Sequence, residues 1–208
     1  MKAHLNIRRK AGLLYLLIVP LGVFGILFIQ SYFVVEGDIN ATMENIQKDA
    51  FYFRLSILSS LATQVVQIFV VLALYQVFKD VNRRMAAFMV ISILVAVPIA
   101  MLNELNHVAV LKTLGNGEQV SLFLSLHQSG VFMAQIFWGI WLFPMGYLAY
   151  KSGFVPKIIG VLLIIACFGY LFDSLFFFLE LDFGFIFSDF TFVGEIAIIL
   201  WLIIKGKK

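Results

Sequence analysis

Charge is what this chain has least of. Only 13% of its 208 residues are Asp, Glu, Lys or Arg, against about 25% in ordinary soluble domains. With 62% of the residues hydrophobic, most of the chain has to be solvated by lipid. Long polar stretches are missing too. The longest runs from Glu36 to Asp49, which leaves no room for a soluble catalytic or nucleotide-binding domain. Cysteine occurs once, as Cys167 within an apolar run. An intramolecular disulfide and a Cys-based metal site are therefore excluded, and Cys167 reads as a small buried residue. H-E-x-x-H, G-x-S-x-G and P-loop motifs are absent. The net charge of +3 does not mark a nucleic-acid partner, because no basic patch with interleaved aromatics accompanies it.

What is present is a series of apolar runs separated by short basic clusters. Six spans are expected, at about 11–33, 51–78, 84–112, 119–150, 156–180 and 188–205. Each approaches or exceeds the ~20 residues that cross ~30 Å of hydrocarbon. The fold class is all-α, a polytopic bundle forming a single transmembrane domain over residues 1–208. The basic opening Met1–Lys10 precedes an apolar run from Ala11 to Ile29. That run is longer than the 7–15 residues of a signal-peptide core and lacks an A-x-A site, so it reads as an uncleaved first span. Asn82 is placed to cap one helix, and Gly153 with Pro156 marks the end of one and the start of the next. Asp38 is placed to cap a short interfacial helix with Ile39, Met43, Ile46 and Ala50 on one face.

Twelve of the fifteen basic residues fall on one side of this six-span arrangement. They are Lys2, Arg8, Arg9 and Lys10; Lys79, Arg83 and Arg84; Lys151 and Lys157; and Lys205, Lys207 and Lys208. Only Lys48, Arg54 and Lys112 fall on the other. Both termini are therefore expected in the cytoplasm.

A charged side chain within the bilayer costs at least ~2.5–3.5 kcal/mol on insertion scales, so each one needs a reason. His127 with Gln128, Asp173, Glu195, Asn103 and Arg54 are the main candidates for ligand binding or proton relay. Glu104 and His107 are weaker candidates, because the outer interface would hydrate them. Gln64 and Gln67 belong to a polar stripe with Ser56, Ser59, Ser60 and Thr63 that should face the bundle interior; helix packing alone would explain it. Arg54 falls well round the helix from that stripe. The depths predict that His127, Asp173 and Glu195 converge in one pocket in the outer half. Structural ion pairs or hydrogen-bond networks are the alternative for the carboxylates. Glu104-Leu105-Asn106-His107 is an E-x-x-H, but bundle di-metal sites need a second one and two more glutamates. No metal and no cofactor are expected, a haem between His107 and His127 included.

Several segments resemble one known family. They include Arg9-Lys10-Ala11-Gly12-Leu13-Leu14-Tyr15-Leu16, Phe53-Arg54-Leu55, Leu126-His127 and Gly146-Tyr147-Leu148. The most specific is Ser152-Gly153-Phe154-Val155-Pro156-Lys157-Ile158-Ile159-Gly160, and Gly169-Tyr170-Leu171-Phe172-Asp173-Ser174 and Gly194-Glu195 complete the set. Together they are similar to the domain-of-unknown-function 4386 family of bacterial integral membrane proteins, over nearly the whole chain. The resemblance implies a multi-pass protein of the bacterial cytoplasmic (inner) membrane without an assigned activity. It also implies polar positions at Arg54, Asn103, His127, Asp173 and Glu195, and it matches Glu104 and His107 poorly.

Three classes of function follow. The first is binding or transport of a small ligand or proton through the outer polar pocket. The second is a structural or regulatory membrane subunit. The third is an intramembrane enzyme using His, Asp and Glu as acid–base groups; no motif supports it. The partners are the lipid bilayer and a small-molecule or lipid ligand, with no nucleic acid.

Overall fold

The computed structural model describes residues 2–206. Met1 and the expected basic positions Lys207 and Lys208 lie outside the described residues. Every regular element among those described is helical. The first helix, α1 (Lys2–Gly22), runs on through two π-helical turns, Val23–Leu27 and Ile29–Phe33. Then come α2 (Ile39–Lys48), α3 (Ala50–Phe78), α4 (Arg83–Lys112), α5 (Gly117–Ile140) and α6 (Leu142–Lys151). The chain closes with α7 (Lys157–Phe178), α8 (Ser188–Thr191) and α9 (Val193–Lys205).

Polar side chains start several of these helices. Asp38 Oδ1 accepts the N–H of Ala41 at 2.9 Å and opens α2, as its sequence position predicted. Asn82 does the same for α4 through Met85 N–H at 3.1 Å, and Asn116 for α5 through Gln119 N–H at 3.2 Å. Each satisfies an amide that the first helical turn leaves unpaired. The fourth apolar run breaks at Trp141 into α5 and α6. Pro144 lies just beyond and lacks the N–H that would continue the ladder.

Five stretches among the described residues are long and apolar enough to cross a membrane: Ile7–Phe33, Ala50–Phe78, Arg83–Lys112, Gly117–Lys151 and Lys157–Phe178. The expected sixth, 188–205, is not one continuous helix. Its final part, α9, has 13 residues and measures about 20 Å at 1.5 Å per residue. Thr191 explains why. It packs on Gly169, where a Cβ would collide with the Thr191 hydroxyl. Gly169 stands nine residues before the end of α7, about 13 Å inside it. The segment 179–192 thus folds back along α7, and α9 starts well within the bundle.

The packing closes a ring: α1 lies against α3, α3 against α4, α4 against α5, α5 against α7, α7 against α9, and α9 against α1. Gly206 meets the backbone of Arg9, so the described chain ends stand together at one end. One apolar cluster there is built on Phe78, Met89, Leu142, Met145, Leu163 and Leu202. A smaller one at the other end holds Ile29, Phe33, Ile46, Phe53, Val110 and Val120. Leu58, Phe69, Ile91, Leu102, Leu105, Ile158 and Ile204 point outward and exposed, the surface expected to face lipid. The stripe Ser56, Ser59, Ser60, Thr63, Gln64 and Gln67 is buried throughout, so α3 does turn its polar face inward.

Candidate functional site

The polar interior holds three separate carboxylate sites rather than one. The first is built on Glu104 and His107, one turn apart on α4, with His127 from α5. Glu104 Oε2 lies 3.0 Å from His107 Nδ1, and Oε1 lies 3.3 Å from His127 Nε2. Ser60 on α3 donates its hydroxyl to Oε1 at 2.6 Å. The two imidazoles stack with ring centroids 3.5 Å apart and planes at 26°, and Phe53 meets His107 edge-on at 5.5 Å. The three ligand-capable atoms lie within 4.8 Å of one another, all on buried residues.

Local packing delivers His127 to this place. Asn103 Nδ2 donates to the His127 carbonyl at 2.8 Å, and Asn106 Nδ2 donates to Asn103 Oδ1 at 3.0 Å. Gly130, almost a turn beyond His127, leaves the space that the Asn103 amide occupies. A cavity of about 310 Å³ opens beside both histidines, with Gln30, Ser125 and Gln128 in its wall.

The second site is Glu195 on α9. Tyr15 of α1 donates its hydroxyl to Oε2 at 2.5 Å, and Tyr170 of α7 donates to Oε1 at 2.9 Å. The carboxylate forms part of the wall of a cavity of about 320 Å³ that also includes Thr63, Gln64, Gln67, Gln135, Trp138 and Trp141. Gln64 Oε1 and Trp138 Nε1 are buried and have no hydrogen-bond partner. An unmet acceptor and an unmet donor thus line one chamber, and such groups are uncommon in folded proteins. The π-helical turn of the first span closes the chamber through Val23, Ile26 and Leu27. Such turns recur at functional sites.

The third is Asp173 on α7. Its two oxygens accept the N–H groups of Phe187 at 2.6 Å and Ser188 at 2.8 Å. The carboxylate thereby caps α8 and ties the folded-back segment to the bundle.

The expected convergence of His127, Asp173 and Glu195 does not occur. His127 joins Glu104, Glu195 joins two tyrosines, and Asp173 holds backbone. Glu104 and His107, the weaker candidates, form the centre of the buried ionic cluster. The chain has one E-x-x-H, as the sequence shows, and the third ligand-capable group comes from the neighbouring helix. Arg54 is exposed and stays out of all three sites. Asn103 positions α5, Gln128 reaches a cavity edge, and Gln64 and Gln67 line the Glu195 chamber. Tyr15, Tyr170 and Trp138 escaped sequence reading. Their one signal is an aromatic residue with a polar tip, well within a span, where such a tip needs a partner.

The fold and these buried sites define a polytopic α-helical membrane bundle with a polar interior. The family model described as "Domain of unknown function (DUF4386)" matches residues 10–206, so the chain belongs to that family. It is also similar to an uncharacterised protein of Archaeoglobus fulgidus, 44% identical over 78 residues, which covers 36% of this chain and 46% of that protein. No solved structure matches.

Proposed function

We propose that this is a multi-pass protein of the cytoplasmic membrane that binds a small ligand in the Glu195 chamber. The ligand is expected to carry an ammonium or other hydrogen-bond-donating end toward Glu195. The carrying observation is the chamber itself. A carboxylate, the unpartnered Gln64 Oε1 and Trp138 Nε1, and the rings of Tyr15, Trp138, Trp141 and Tyr170 share one wall. Aromatic faces attract cations, and a carboxylate adds direct attraction. The volume sits at the low end of the ~300–1,000 Å³ typical of small-molecule sites.

Six crossings with both termini cytoplasmic and the whole chain as one domain complete this reading. The twelve-to-three basic split supports the orientation. The nearness of Gly206 to Arg9 supports an even number of crossings, and α9 with its folded-back lead-in would complete the last one. Cysteine probes at Lys48 and Arg84, in a Cys167→Ser background, should label from outside and inside respectively. Labelling of both from one face would overturn the arrangement.

The ligand test is thermal stability in detergent against a panel of small alkyl and aryl ammonium ions. A saturable rise in Tm is expected in the wild type, lost in Glu195→Gln. A flat response across the panel refutes the reading.

A further inference from the structure

We propose that Glu104, His107 and His127 form a site for a first-row divalent metal ion of the zinc class, separate from the Glu195 chamber. Two imidazole nitrogens and one carboxylate are the donor set of many open zinc sites. It is unsuited to magnesium or calcium, which take oxygen ligands. Bond lengths of 2.0–2.1 Å in a tetrahedron place neighbouring ligand atoms about 3.3 Å apart. His107 Nδ1 lies 3.0 Å from Glu104 Oε2 and His127 Nε2 lies 3.3 Å from Glu104 Oε1, so each histidine stands at ligand spacing from its own carboxylate oxygen. One ligand-capable atom from each of the three residues lies within 4.8 Å of the other two.

The surroundings fit a metal centre. The Ser60 hydroxyl fixes the carboxylate from outside at 2.6 Å, the arrangement that orients metal ligands elsewhere. Phe53 packs on His107 and keeps that side apolar. The ionic contacts of Glu104 among the described residues are the two histidines, with no Lys or Arg beside it. A divalent ion held by one carboxylate and two neutral imidazoles keeps a net charge of +1, so an anionic fourth donor such as hydroxide would complete the balance. The cavity of about 310 Å³ that both histidines border leaves a fourth position for water or another oxygen or nitrogen donor.

The experiment uses tag-free, chelator-treated full-length protein titrated with Co²⁺ and then Zn²⁺. The expected result is one Co²⁺ per chain with the intense visible bands of tetrahedral coordination, erased by one equivalent of Zn²⁺. X-ray absorption on the wild-type Zn²⁺ form should show two imidazole nitrogens. His107→Gln, His127→Gln and Glu104→Gln should each abolish the bands, and Ser60→Ala should weaken affinity about 10-fold. His4→Ala should change nothing, and Glu195→Gln should leave metal binding intact even if it ends ligand binding, so the two readings fail separately. Should the histidine variants not fold, the wild-type absorption spectrum and Ser60→Ala still decide. No bound Co²⁺ in the wild type, absence of imidazole scattering, or loss of binding in His4→Ala alone would overturn the site.

Discussion

Tyr15 and Glu195, 180 positions apart, share a hydrogen bond of 2.5 Å that joins the first helix of the bundle to the last. Tyr170 supplies the other donor, so one carboxylate holds three helices. Interhelical hydrogen bonds in membranes average ~0.6 kcal/mol with a maximum near ~1.7. Tyr15→Phe and Tyr170→Phe should each cost within that range. The double variant should cost more than the sum, because it strands Glu195 without a donor. Tm in detergent for the two single variants and the pair measures this coupling; strict additivity would contradict it.

Asp173 is expected to act on the backbone of its neighbouring segment and on no ligand. Asp173→Ala removes the acceptor for Phe187 and Ser188 N–H, and a lost cap typically costs ~0.5–2 kcal/mol. Amide hydrogen exchange at those two residues should accelerate strongly in Asp173→Ala. Asp173→Asn, which keeps one carbonyl oxygen, should lie between. Unchanged exchange in both variants would remove the cap as an explanation.

Gly146 of α6 and Gly160 of α7 touch backbone to backbone. A Cβ on either would come within 2.7 Å of the other's carbonyl oxygen, and backbone cannot swing aside as a side chain does. Gly160→Ala should therefore force α6 and α7 apart at a cost of ~1–3 kcal/mol, typical of overpacking. A Gly153→Ala control is unsuitable, because Gly153 sits at φ +72°. Gly22→Ala, where a Cβ meets nothing within 4 Å, is the fitting comparison. Equal Tm values for Gly160→Ala and Gly22→Ala would show that the contact is slack.

Five spans were legible because bilayer thickness and apolar length are tied together, and Asp38 and Asn82 were legible because capping is local chemistry. The inward face of α3 followed from spacing alone. The sites were less so. Counting residues along a helix gives depth, yet it gives neither the rotation of that helix nor the neighbour it meets. Glu104 and His107 share a face by spacing, but that His127 stands beside them depends on α5 packing against α4 through Asn103 and Gly130. Glu195 was misplaced for a different reason. Its depth was reckoned from a helix starting at the membrane edge near 188, whereas α9 begins at Val193, after a segment that doubles back to Gly169. Asp173 looked like a buried charge in search of a ligand because backbone amides from another segment are invisible in a linear reading.

The buried polar side chains described above are carboxylates, amides, hydroxyls and imidazoles, and none of them is a Lys or Arg. Among the described residues, the formal charges built into the interior are therefore negative or titratable, while Arg54 is exposed. Fixed charge of one sign in a low-dielectric surround produces a potential of that sign, focused where water is scarce. An interior of this kind suits a cationic ligand, in keeping with the ammonium proposed for the Glu195 chamber.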